Sequence, residues 1–125
     1  MKYLGIDFGL RKIGFAISEG ELVSPWKIID VKNLSDAVER VSKIIKEEKF
    51  EKIIVGLPEG KMGKNVQGFI SAMNKSGIKV EIADETLSSQ RAKQVMTRQG
   101  ISRKKRRFED AYSAAEILQN YLDNL

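Results

Sequence analysis

Leu4, Ile6 and Phe8 alternate with Tyr3, Gly5 and Asp7, and a second apolar run extends from Ile13 to Ile17. A period of two on either side of a glycine-bearing stretch predicts a strand, a tight turn and another strand. "ELVSPWKIIDV" predicts a third strand, irregular or at a sheet edge because Pro25 cannot donate to a ladder. The short turn "SEGE" makes these three an antiparallel meander. The period then changes. Leu34, Ala37, Val38, Val41, Ile44 and Ile45 recur at helical spacing, with Asn33 or Ser35 as the cap.

"EKIIVGLP" is apolar throughout, as a parallel strand buried on both faces is. "EGKMGKN" predicts a polar glycine loop, and "VQGFISAMNKSG" a second helix stopped by Gly77. "IKVEIADE" predicts a fifth strand and "TLSSQRAKQVMTRQG" a third helix. The run "RKKRR" is expected in a loop, and "FEDAYSAAEILQNYLDNL" as the final helix. No internal repeat or linker interrupts the series, so residues 1–125 are expected to form one domain. The order combines a meander with two right-handed crossovers. It predicts an α/β protein whose five-stranded mixed sheet has antiparallel strands 1–3, then parallel strands 4 and 5, with helices on both faces. The first strand is then central.

One residue does not fit its surroundings. A carboxylate at Asp7, on a buried strand, is costly unless something compensates it. In open α/β sheets, sites collect at the carboxyl ends of the parallel strands. Asp7 lies toward that end of strand one, Asp84 and Glu85 end strand five, and Glu59 follows strand four. In the last helix, Asp110 shares a stripe with Ala114, Ile117 and Tyr121, beside Ala111, Ala115, Leu118 and Leu122. Glu109 instead sits with Tyr112, Ser113, Glu116 and Asn120 on a face expected to be solvated. Asp110 is therefore expected to point inward and Glu109 outward.

Composition narrows the chemistry. The chain has no cysteine and no histidine, so a disulfide scaffold, a thiolate metal site and the usual imidazole base are all excluded. Carboxylates gathered at one place repel unless one is protonated or a cation lies between them. An all-oxygen donor set suits Mg²⁺ or Mn²⁺, and such ions hydrolyse phosphodiesters without histidine or cysteine. No apolar run is long enough to span a membrane, and no export leader precedes the first strand.

Charge points to the same substrate class. The 125 residues carry 22 cations and 17 anions, a formal +5, and the five cations of Arg103, Lys104, Lys105, Arg106 and Arg107 account for the whole excess. Such a block is either a phosphate-contacting patch or a solvated loop. Arg11 and Lys12, in the hairpin after Asp7, are placed to meet a phosphate backbone. Gly5, Gly9 and Gly14 read as turn and close-packing residues, and Trp26 as a packing residue. Ser88 and Ser89 read as helix caps, since no base is present to activate a serine.

"YLGIDFGLRKIGFAIS", "IIVGLPEGKMG", "ADETLSSQRAKQVM" and "FEDAYSAAEILQNYL" together resemble the four motif blocks of the YqgF/RuvX family. These are ribonuclease H-like proteins described both as pre-16S ribosomal RNA nucleases and as Holliday junction resolvases. The resemblance implies a ribonuclease H-like sheet and a metal-dependent nuclease with Asp7, Glu85 and Asp110 as catalytic metal-holding acids. Glu59 and Asp84 remain further candidates. It also implies a bacterial cytoplasmic protein acting in 5′-end maturation of ribosomal RNA.

Two departures bear on the site. "EGKMGKN" replaces the family's "LNMDG"-like loop, bringing in Glu59 and Lys61. "DET" replaces "DER", so Thr86 stands where a cation is usual, and phosphate binding there is weakened or moves to Lys12 or Lys64. Strand alternation by itself puts Asp84, not Glu85, in phase with Ile78, Val80 and Ile82. The family pattern favours Glu85.

Pre-rRNA is the favoured substrate and four-way DNA the alternative, because resolving a junction needs a dimer and no dimer face is evident. A monomer or weak homodimer is expected. A non-catalytic RNA-binding assembly factor is the competing class. A phosphotransferase, which "GIDFG" also resembles, would need a second domain.

Overall fold

Alternation along β1 (Lys2–Asp7) sets the layering of the molecule. Leu4 and Ile6 are fully buried on one face with Phe15, Ala37, Val41, Val55 and Phe69. Tyr3, two residues before Gly5 and four before Asp7, packs on the other face with Ala16, Ile54, Ala114, Ile117 and Leu118. Because both faces are covered, a side chain of either phase along the strand is removed from water. Full burial of a large apolar side chain contributes about 1.5–3 kcal/mol, so the register of β1 is strongly specified.

The computed structural model describes residues 2–58, 60–84 and 108–125, with Asp84 described by its backbone alone. β2 (Lys12–Glu19) and β3 (Leu22–Asp30) complete the meander. They are followed by α1 (Leu34–Glu48), β4 (Lys52–Leu57), α2 (Lys61–Lys75), β5 (Glu81–Asp84) and a C-terminal helix, α3 (Glu109–Asp123). The sheet order is β3-β2-β1-β4-β5. β1 to β3 pair antiparallel, and β4 and β5 run parallel to β1. This is the expected mixed sheet with β1 at its centre. Residues of α1 and α2 cover one face and those of α3 the other.

Local chemistry explains most boundaries. The Asn33 side chain accepts the Asp36 backbone N–H at 2.8 Å and caps α1, which settles the choice between Asn33 and Ser35. Asp36 accepts in turn from the Lys32 N–H at 2.9 Å, and that hydrogen bond holds its carboxyl below the ordinary aspartate range. β3 is an edge strand. Its register skips a residue between Lys27 and Pro25, so the proline sits at a bulge. Trp26 packs edge-on against Phe15 and Phe50, with centroids at 6.2 and 5.9 Å. Gly77, just past α2, takes the left-handed φ of +87° that stops a helix.

Two sequence expectations are corrected. The stretch read as a polar loop up to Asn65 is helical from Lys61, so Lys61 and Lys64 lie on the first turns of α2. Gly63, taken as a loop residue, is buried, and a Cβ there would come within 2.7 Å of the Pro58 carbonyl oxygen. The glycine permits close packing inside a helix rather than marking a loop. The fifth strand is also shorter than "IKVEIADE", beginning only at Glu81. The expected third helix, 86–100, lies outside the described residues.

Candidate active site

Parallel pairing brings the carboxyl ends of β1, β4 and β5 to one edge of the sheet. β1 ends on Asp7, β4 on Leu57 and β5 on Asp84. Asp7 is 9% exposed, one of three polar residues among those described that are classed with the core. Its cross-strand partner is Gly14, and the first turn of α3 sits directly on that glycine. A Cβ added at Gly14 would overlap the Asp110 carbonyl group and fall 2.7 Å from the Ala111 nitrogen. The backbone of Asp110 therefore rests over the cross-strand neighbour of Asp7.

The orientation of Asp110 follows from helix geometry. At 100° per residue, Asp110 falls in the middle of the arc spanned by Ser113, Ala114, Ile117 and Leu118, all buried. It therefore lies on the sheet side of the helix, half-buried as Glu109 is. The same arc corrects the other face. Ser113, expected in solvent, is 3% exposed, and Glu109 is half-buried rather than outward. The buried arc of α3 is wider than its apolar stripe because Gly5 and Gly14 let the helix backbone approach the sheet closely. Both acids also lie in the first turn, where the helix dipole favours negative charge.

The alternation of β5 has a clear phase. Glu81 pairs across from Ile54, whose side chain belongs to the α3-facing core, and Ala83 packs against that same core. Ile82, one residue out of phase, is 53% exposed. Apolarity therefore misled the sequence reading of this strand: the phase shared with Asp7 runs through Glu81 and Ala83, not through Val80 and Ile82. Glu85 and Glu59 lie outside the described residues, as do Arg103, Lys104, Lys105, Arg106 and Arg107.

Four cations are placed by the topology at this edge. Arg11 and Lys12 follow β1 in the loop and first position of β2, and Lys61 and Lys64 open α2 directly after β4. All four are exposed. Three large apolar side chains near the same end, Leu10, Phe108 and Tyr112, are also exposed, at 56%, 51% and 37%. The sequence reading assigned no role to Leu10 or Phe108.

The donor set at the edge fits a hard cation. Asp7 and Asp110 offer only oxygen atoms, and no histidine or cysteine exists in the chain to favour zinc. Among the described residues no group of three acids is close enough to hold a metal.

At the opposite end of the sheet a different cluster pins α3. The Tyr121 hydroxyl donates to Glu81, and Lys52 Nζ lies 3.5 Å from the other oxygen of that carboxylate. The Tyr121 hydroxyl, and then Lys52, hold the Glu81 carboxyl below its ordinary value. Tyr121 is correspondingly raised, first by its bond to Glu81 and then by burial. This cluster fastens the far end of the helix whose near end carries Asp110.

The sheet order and the placement of the helices define a ribonuclease H-like fold. Two solved structures share the fold. The fowlpox virus Holliday junction resolvase superposes with a TM-score of 0.67 at 12% identity, over 99% of both chains. RuvC of T. thermophilus, in complex with a Holliday junction substrate, gives 0.61 at 16% identity, over 99% of this chain and 96% of that one.

A family model described as "RuvX: Holliday junction resolvase" matches residues 1–124. Two relatives named, provisionally, as pre-16S rRNA nuclease come from Natranaerobius thermophilus and Oceanobacillus iheyensis. They are 35% and 36% identical, each over 98% of this chain and 94% and 98% of their own lengths. The chain belongs to the RuvX family.

Proposed function

We propose that this protein is a divalent-metal-dependent nuclease that hydrolyses phosphodiester bonds in structured nucleic acid, with the 5′ end of pre-16S rRNA as its substrate. The observation that carries this reading is the juxtaposition of Asp7, buried at the end of the central strand, with the helix turn bearing Asp110. Carboxylates brought to one sheet edge repel each other, and a bound cation supplies the opposite charge.

Asp7, Asp110 and Glu85 would hold Mg²⁺ or Mn²⁺, with Asp84 and Glu59 as the alternative or supplementary acids. The phase of β5, with Glu81 and Ala83 on the α3 side, supports Glu85 over Asp84. Such an ion, when bound, lowers the pKa of a water and stabilises the leaving oxygen of a phosphodiester. The chain's own part is positional. Strand β1 and helix α3 present rigidly anchored acids, and the packed sheet behind Asp7 keeps bulk water from that side. Arg11, Lys12, Lys61 and Lys64, together with the 103–107 run, would draw in and orient the phosphate backbone without reading its sequence.

The relatives named as pre-16S rRNA nucleases support the RNA substrate, and the family's description as a Holliday junction resolvase supports four-way DNA as the second reading. Side-by-side incubation of a pre-16S rRNA fragment and a four-way DNA junction, with Mn²⁺ or EDTA, separates them. Metal-dependent cleavage of the RNA alone is the expected result. Cleavage of the junction at paired, symmetric positions would establish the second reading instead. Tight, salt-sensitive RNA binding without cleavage of either substrate would make the protein a non-catalytic assembly factor.

A further inference from the structure

We infer that Gly14 is a positioning residue, the seat that fixes how far Asp110 stands from Asp7; this rests on the nuclease reading just proposed. Three observations converge on it. Gly14 is the cross-strand partner of Asp7, so it occupies the neighbouring position in the same pleat. The atoms that an added Cβ would strike are the carbonyl of Asp110 and the nitrogen of Ala111, which are backbone of the acid-bearing turn. No rotamer change can relieve an overlap with backbone, so any side chain at 14 must lift the first turn of α3. The far end of α3 is fastened by Tyr121 to Glu81, so lifting the first turn tilts the helix rather than sliding it. Asp110 would be displaced most, and Asp7, on its own strand, would stay behind.

Gly5 provides a control within the same fold. It lies on the same face of β1, and a Cβ there would come 2.8 Å from the Ala114 carbonyl oxygen and 2.9 Å from the Leu118 Cβ. It supports α3 one to two turns further along, away from the acids. A purely structural role for glycine beneath α3 predicts similar consequences at both positions. A positioning role separates them.

The test uses the full chain with Gly14→Ala, Gly5→Ala and Asp110→Glu, alone and with Gly14→Ala/Asp110→Glu combined. Two quantities are read: the thermal stabilisation produced by Mn²⁺ alone, and the cleavage kinetics. Both alanine variants should lower Tm, since an added methyl overpacks a contact already closed by backbone. Gly14→Ala should also lose the Mn²⁺-induced rise in Tm, and its kcat should fall by about 100-fold with KM little changed, the cost of an ångström-scale misplacement. Gly5→Ala should keep the Mn²⁺ response.

In the combined variant the longer side chain introduced by Asp110→Glu spans the opened gap and should restore part of the Mn²⁺ response. Asp110→Glu on the native Gly14 should weaken it. Equal loss of Mn²⁺ response in Gly5→Ala and Gly14→Ala would overturn the proposal. Should Gly14→Ala fail to fold, an Asp110→Glu protein with undiminished Mn²⁺ response and kcat would overturn it equally. The nuclease reading fails separately, through a parent protein that binds RNA but cleaves neither substrate with Mn²⁺.

Discussion

At the scale of single residues, an acid out of place on an apolar strand is the informative signal, and a glycine is the uninformative one. Asp7 could be singled out from the sequence because the alternation around it demands burial, and it is buried. Gly14 carries no such mark. Its significance depends on which backbone lies above it, which only the packed structure reveals. Ser113 was misassigned for a related reason. The width of a helix's buried arc depends on how closely the helix approaches its support, and two glycines beneath α3 bring it nearer than its apolar stripe implies. Ser18 makes a testable contrast. Its side chain is 1% exposed, and its hydroxyl has no hydrogen-bond partner among the described residues. A buried hydroxyl left unsatisfied costs on the order of 1 kcal/mol or more. Ser18→Ala should therefore raise Tm by a few degrees without altering cleavage, measured by thermal unfolding, and a lowered Tm would reveal a partner for the hydroxyl.

At the scale of elements, strands and the first helix were legible because period and capping chemistry agree, as in the Asn33 cap of α1. The start of α2 was not, because two glycines in "EGKMGKN" carry a loop signal that close packing on Pro58 overrides. β5 was legible in position but not in phase, since the strand ends the described sheet and its apolar Ile82 faces solvent while Ala83 packs under α3. The fastening of α3 to β5 predicts a pH dependence. Glu81 is held below its ordinary value of 4.5, so its contribution to stability is present above that value and is lost as pH falls through the folded one. Tyr121 is raised above 10.0 and Lys52 above 10.5, first by Tyr121 and then by Glu81. Their contributions are present below those values and lost as pH rises through the folded ones. Tyr121→Phe removes the leading cause of the Glu81 shift. The parent's Tm should fall between about pH 5 and pH 3 more steeply than that of the variant. Parallel curves would mean that this cluster does not couple to folding.

At the scale of the whole molecule, topology does what no local motif can. It carries strand ends from distant parts of the chain to one edge, and it sets Arg11, Lys12, Lys61 and Lys64 around them. The sheet order was legible in the sequence, because a meander followed by parallel strands leaves few arrangements. The distance between the acids was not, since it depends on the seating of α3. If the four cations meet phosphates, RNA affinity must fall steeply with salt. Replacing Arg11 and Lys12 by alanine should then reduce the slope of log K against log salt by about 1–2, roughly one for each lost contact. An unchanged slope would remove that loop from the interface. RNA cleavage by this protein requires that the acids at the sheet edge hold a metal. The most direct measurement is cleavage of a pre-16S rRNA fragment across a Mn²⁺ titration by the parent and by Asp7→Asn, with folding of both verified by circular dichroism. The parent should cleave only with metal, and the variant at least about 100-fold more slowly, since even outer-shell partners of a metal cost 10–100-fold. A folded Asp7→Asn protein cleaving at the parent's rate, or a parent indifferent to EDTA, would contradict the account.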